Sequence, residues 1–143
     1  MSSLSIATAA ACCALTGAGA AGGLGFGLMA FTGGKARNGF ELCSRLSRFD
    51  RSLRRADLVI TGEGSLDQST LMGKGVGEIA RCARAHRLPC LGMGGVRSDI
   101  ARLQKRFTQI HSIAPDLVDG EIARARPSRW LTALSARVAS EWR

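Results

Sequence analysis

Three short apolar runs, each shut off by glycine or proline and separated by stretches long enough for a helix, constrain this chain more than any other feature. Leu58-Val59-Ile60 is closed by Thr61-Gly62, Cys90-Leu91-Gly92-Met93 by Gly94-Gly95, and Ile110 to Ala114 by Pro115. Unbroken apolar runs of this length suit strands buried on both faces of a parallel sheet. The intervening segments carry helical periodicity. Phe40, Cys43, Leu46, Phe49 and Leu53 recur every three or four residues ahead of the first run. Gly73 to His86 sets Ile79, Ala80, Cys82 and Ala83 against an outward face of Glu78, Arg81, Arg84 and Arg87. Ser98 or Asp99 can cap a helix reaching about Phe107. Pro127 sits where a first helical turn accepts it, and Trp130, Leu134, Val138 and Trp142 form one stripe. The alternation predicts an α/β fold, part of a doubly wound (Rossmann-like) parallel sheet with three βα units. Ligands in such sheets meet the carboxyl ends of the strands, so the segment after Ile60 is where chemistry is expected.

Composition removes several classes. The 143 residues are 45% hydrophobic, too apolar for a disordered tail. The net charge of +9 invites a nucleic-acid partner, but its 17 Arg and 3 Lys are scattered. Only 5% of residues are aromatic, too few for base stacking, so no nucleic acid is expected. Cysteines 12, 13, 43, 82 and 90 show neither CxxC spacing nor an even count, arguing for free thiols in a reducing, cytoplasmic setting. The first 34 residues lack any charge, yet half of them are Gly or Ala, too thin in Leu, Ile, Val and Phe for a membrane span. Met1-Ser2-Ser3-Leu4 also lacks the basic start of a secretory signal.

Two segments can carry chemistry. Thr61-Gly62-Glu63-Gly64-Ser65-Leu66-Asp67-Gln68-Ser69-Thr70-Leu71-Met72-Gly73-Lys74 places two carboxylates between a strand and a helix start. Gly62 and Gly64 would let a ligand approach the backbone, and helix amides with Lys74 favour an anion such as phosphate. Glu63 and Asp67 in that setting can hold Mg²⁺ or accept a hydroxyl proton, both of use in phosphoryl transfer. The same residues also read as a surface turn capped by Asp67 or Ser69. A strict P-loop is excluded, since Gln68 takes its first glycine position and Gly75 its Ser/Thr position. The second segment, Gly17 to Gly25, contains GxGxxG. Ala9 to Leu15 makes a poor preceding strand, and the next acid, Glu41, falls inside an expected helix. Close backbone packing, phosphate or substrate contact, and NADP binding all remain open for it.

Together these segments resemble the bacterial type I glycerate kinase family. The match runs through Gly17-Ala-Gly-Ala-Ala-Gly-Gly-Leu-Gly25, Arg37-Asn-Gly-Phe-Glu-Leu42, and Ala56 to Asp67 continuing to Gly73-Lys74. Two family segments, Asp-Ser-Phe-Lys-Gly and Gly-Gly-Ser-Ala-Thr-Asn-Asp-Gly, do not occur, so the resemblance is to the C-terminal portion. It implies ATP-dependent phosphorylation of D-glycerate with Mg²⁺, by a chain that alone is weakly active or inactive. It further implies Glu63, Asp67 and Lys74 as catalytic residues, with Glu63 and Asp67 at the metal. Gly17, Gly19, Gly22, Gly23, Gly62, Gly64, Thr70 and Gly73 would contact substrate or nucleotide. Residues 1–50 would be a glycine-rich remnant of the smaller domain and 51–143 half of the doubly wound domain, with residues 1–15 unmatched. The rival reading is a noncatalytic nucleotide-binding or interaction module, with uncovered faces that could pair two copies.

Overall fold

A computed structural model describes residues 17–142; the expectations for residues 1–15, including the strand reading of Ala9 to Leu15 and Cys12 and Cys13, lie outside them. The chain divides into two compact units, Met1–Cys43 and Ser44–Arg143.

In the first unit, helix α1 (Ala20–Thr32) begins with a kink in which Ala21, Gly22 and Gly23 take left-handed backbone angles. A side chain on Gly25 would strike the Gly17 carbonyl, and the Phe26 amide donates to the Ala18 carbonyl at 3.0 Å. The glycine run here makes a tight backbone turn against the start of its own helix. Ala18, Met29 and Ala30 form its small core, flanked by Phe26.

Helix α2 (Gly39–Leu46) opens on Asn38, whose Oδ1 accepts the Glu41 amide at 3.1 Å. The single helix expected from Phe40 to Leu53 is interrupted. Arg48 turns left-handed at φ 53°, and α3 (Phe49–Leu53) restarts beyond it. The restart sets Leu53 into the core and lets Asp50 reach His86 Nε2 at 2.8 Å.

The second unit is an α/β sheet of three parallel strands in the order β1-β2-β3: β1 (Val59–Leu66), β2 (Cys90–Arg97) and β3 (Gln109–Ala114). β1 and β2 run on past the expected stops at Gly62 and Gly94. Glu63 pairs with Gly94 and Leu66 with Arg97, so the polar stretch through Ser65 is strand, and the turn starts only at Asp67. A ladder of main-chain hydrogen bonds asks nothing of the side chain, which is why glycine did not end the strands. A Cβ on Gly62 would collide with the Met93 carbonyl, so glycine here serves the close approach of the neighbouring strand.

Helix α4 (Gly75–Ala85) joins β1 to β2, and α5 (Ile100–Leu103) lies between β2 and β3. α5 is far shorter than the reach to Phe107; Asp99 does stand at its N-cap, but left-handed at φ 50° and without a side-chain capping bond. One core gathers Leu53, Val59, Leu66, Ala80, Ala83, Cys90, Leu103, Phe107 and Ile110. The other places Leu91, Ile113 and Ala114 against α6 (Gly120–Ala125) and α7 (Pro127–Glu141) through Ala123, Leu134 and Val138, with Trp130 and Trp142 alongside. The Trp130 stripe thus packs as its spacing predicts. The first strand is not buried on both faces, however: Ile60 is 60% exposed, because α7 packs on β3 and leaves that face of β1 open.

Arg97 and Asp116 form a largely buried pair at 2.7 Å. Asp116 Oδ2 also accepts the Ser112 amide at 2.8 Å, and Arg137 of α7 donates to the Asp116 carbonyl at 3.1 Å. This network pins the segment after β3 to the sheet. Cys43, Cys82 and Cys90 are free thiols. Among the described residues no helix is long and apolar enough to cross a membrane.

Candidate active site

The turn after β1 is built by Asp67 and Thr70. Asp67 caps a single 3-10 turn, Gln68–Leu71, with its Oδ1 accepting the Ser69 amide at 2.8 Å and its amide donating to Thr70 Oγ1 at 3.1 Å. Ser69 Oγ also donates to Oδ1 at 2.5 Å, and Ser65 Oγ to Oδ2 at 2.9 Å. Donors from Ser69 and Ser65 stabilise the charged form and pull the Asp67 carboxyl down to about 2. The capping reading of Asp67 is therefore realised, and its oxygens are largely occupied by neighbours two residues away.

Glu63 is placed differently. Its Oε1 accepts the hydroxyl of Thr70 at 2.6 Å, and its Oε2 lies 3.7 Å from Lys74 Nζ. Thr70 is fully buried, so its hydroxyl has no water to compete for it. Lys74 is the residue before α4 and is half exposed. Gly73 before it is left-handed at φ 90°, a conformation that favours glycine.

Glu63 also lines a cleft of about 610 Å³ on the open face of β1, together with Gly62, Gly64, Gly94, Gly95 and apolar Ile60, Met93 and Leu131. That volume lies within the roughly 300–1,000 Å³ of small-molecule sites. Gly64 has nothing within 4 Å of a would-be Cβ, so a ligand can reach the backbone there. The structure thus brings Glu63, Thr70, Lys74, Gly62 and Gly64 to one locality, with Asp67 and Gly73 in the connecting turn. Gly17, Gly19, Gly22 and Gly23 belong to the other unit.

Mg²⁺ at phosphoryl-transfer sites takes one or two carboxylates plus phosphate oxygens. Among the described residues no three or more His, Cys, Asp or Glu converge to hold a metal. A single carboxylate with spare lone pairs suits the smaller set, and Glu63 at the cleft fits it. Asp67 would have to release Ser65 or Ser69 to join. Sequence reasoning missed Ser65, which steadies Asp67, and Arg97 and Asp116, which brace the strand ends beside it. An acid beyond β3 gives no local signal of pairing with an arginine 19 positions earlier.

Comparison with known proteins shows the family of the chain. Residues 2–143 match the Glycerate kinase family. The chain is 32% identical over 126 residues to a glycerate kinase of Bacillus subtilis (strain 168), an alignment covering 87% of the chain and 33% of the relative. It is 37% identical over 83 residues to a glycerate 2-kinase of Escherichia coli (strain K12), covering 58% and 22%. A crystal structure assigned provisionally as glycerate kinase 2 from Salmonella typhimurium LT2 superposes with a TM-score of 0.50 at 28% identity, covering 90% of the chain and 34% of that protein. The chain thus spans about a third or less of the length of these relatives.

Proposed function

The chain belongs to the glycerate kinase family, and from that premise we propose that it carries part of the site at which ATP phosphorylates D-glycerate. In this reaction the acceptor hydroxyl oxygen attacks the γ-phosphorus, the bond to the bridging oxygen breaks, ADP departs, and the hydroxyl proton passes to a base. Magnesium would be held by Glu63, with Asp67 beside it, and would supply charge neutralisation on the phosphates. Glu63 would meet it or accept the proton, its carboxylate being held by Thr70 and Lys74 on a residue that lines the cleft. Lys74 offsets charge on the transferring group. Gly62 and Gly64 present backbone to the ligand; Gly17, Gly19, Gly22 and Gly23, in the residue 1–50 part, which we read as belonging to the smaller domain, are proposed substrate or nucleotide contacts of that part. Residues 51–143 are then half of the doubly wound domain, in a cytoplasmic enzyme.

The observation that supports this most is the Glu63 carboxylate, bonded to Thr70 Oγ1 at 2.6 Å and 3.7 Å from Lys74 Nζ, on a residue that also lines the glycine-rich cleft. With the β1 face open, the 143 residues assayed alone are expected to turn over glycerate slowly, since catalysis by positioning fails when a cleft is incomplete. Calorimetry with magnesium-ATP, alongside coupled ADP release, tests the reading. Binding by the native chain that weakens about tenfold in Glu63→Gln, the scale of one charge-assisted contact, is expected. No binding by the native chain removes the nucleotide reading, and unchanged binding by the variant removes the role of Glu63.

A further inference from the structure

Helices that join parallel strands run against them, so their carboxyl ends gather at the amino ends of the strands, opposite to Glu63. There the structure holds a second hollow, of about 220 Å³. Arg84 and Arg87 approach it from the end of α4, Lys105 and Arg106 from the turn after α5, and Leu88 and Phe107 complete its walls. No Asp or Glu lines it. Among the described residues, the ion pairs engage Arg54, Lys74, Arg81, His86, Arg97, Arg124 and Arg137, and none of these four cations. Asp50, which reaches this end of α4, is already held between Arg54 and His86.

Cations at helix carboxyl ends ordinarily offset the negative end of the helix dipole. That accounts for only part of the charge here. Each dipole end amounts to about half a negative charge, and less for a helix as short as α5, so about three positive charges remain. The two basic turns are also braced together. Arg84 donates to the Lys105 carbonyl, the Thr108 amide donates to the Cys90 carbonyl at 2.8 Å, and the Cys90 amide donates to Thr108 Oγ1 at 2.9 Å. Arg87 has a left-handed backbone, φ 58°, just beyond a helix end where glycine is the usual occupant. Like charges held together without a counter-charge create a focused positive potential.

We propose that this hollow is a binding site for a compact, multiply charged phosphate group, separate from the Glu63 cleft. Its volume falls below the roughly 300–1,000 Å³ of sites that enclose drug-sized ligands, which selects a phosphate or pyrophosphate moiety over a whole nucleotide. The Arg87 and Arg106 guanidinium groups, with Arg84 already bonded to the Lys105 carbonyl, supply forked donors for phosphate oxygens, and Leu88 and Phe107 form the apolar wall. The inference does not depend on the kinase reading, because it uses other residues at the other end of the sheet.

The test is amide chemical-shift mapping on the full chain titrated with inorganic pyrophosphate, at ionic strength matched with sodium chloride. Saturable shifts centred on residues 84–88 and 104–108 are expected, with binding at least about tenfold weaker in the Arg87→Gln/Arg106→Gln double variant. The thermal midpoint of that variant should fall by no more than a few degrees, since Arg87 is exposed and Arg106 only half-buried, and neither enters an ion pair among the described residues. Shifts centred on residues 62–75, an equal response to chloride, or undiminished affinity in the double variant would each overturn the proposal. So would tight binding of a long polyanion such as duplex RNA without measurable pyrophosphate binding. Loss of magnesium-ATP binding in Glu63→Gln bears only on the other cleft.

Discussion

Thr70 and Glu63, seven residues apart in the chain, meet at 2.6 Å, hydroxyl to carboxylate, while the same Thr70 oxygen accepts the Asp67 amide at 3.1 Å. One fully buried side chain therefore closes the turn and aims the carboxylate.

Replacing Thr70 by Val should remove both bonds and lower stability by about 1–3 kcal/mol, the cost of leaving buried polar groups unpaired. Thr70→Ser keeps the hydroxyl and should lose less. Urea unfolding midpoints of the two variants decide this; a larger loss in Thr70→Ser than in Thr70→Val would show that the methyl group, not the hydrogen bond, matters.

Gly77 and Gly64 should respond oppositely to a single methyl group. A Cβ at Gly77 runs into the Thr70 carbonyl, so Gly77→Ala should cost about 1–3 kcal/mol as α4 is pushed off the turn. Gly64 has open space, and Gly64→Ala should change stability by less than about 0.5 kcal/mol while hindering magnesium-ATP at the cleft. Thermal melts with and without nucleotide separate the two effects.

Asp67 should resist acid. Its carboxyl sits at about 2, below its ordinary value near 3.8, because Ser69 and Ser65 donate to the charged form. The stability it contributes is therefore complete above about pH 4 and disappears as pH falls through about 2. Carbon-detected titration of the side chain should find that low midpoint, and Ser69→Ala should move it upward.

Asp116→Ala should strand Arg97 and the Ser112 amide in a largely buried setting, at a cost of about 3 kcal/mol. Converting Arg97 to Met in the same chain should recover part of that loss. A double variant no more stable than Asp116→Ala would contradict the account of Arg97 as an uncompensated charge.

Alkylation should discriminate among the thiols. Cys90 is buried in the core, and desolvation raises it to about 11, whereas Cys43 is exposed. With iodoacetamide at pH 8, peptide mass spectra should show Cys43 modified well before Cys90 in the folded protein. Equal rates would mean that β2 opens readily.

The element order was legible in the sequence because each βα unit is announced locally, by an apolar run, a breaker and a helical stripe such as Trp130, Leu134 and Val138. The cap at Asp67 was legible for the same reason, since a capping acid announces itself locally, but its partner Thr70 was not. What the chain pattern did not contain was anything settled by neighbours distant in sequence. Glycines 62 and 94 read as strand ends, yet strand β2 continues the ladder past them, because pairing depends on the adjacent backbone and not on local propensity. Ile60 read as buried on both faces, and only the seating of α7 on β3 left it open. Arg97 and Asp116, 19 positions apart, carry no local signal of the pair that folding makes of them. Local spacing determines which elements form; which atoms those elements bring within 3 Å is decided by packing, where burial removes water as the competing partner.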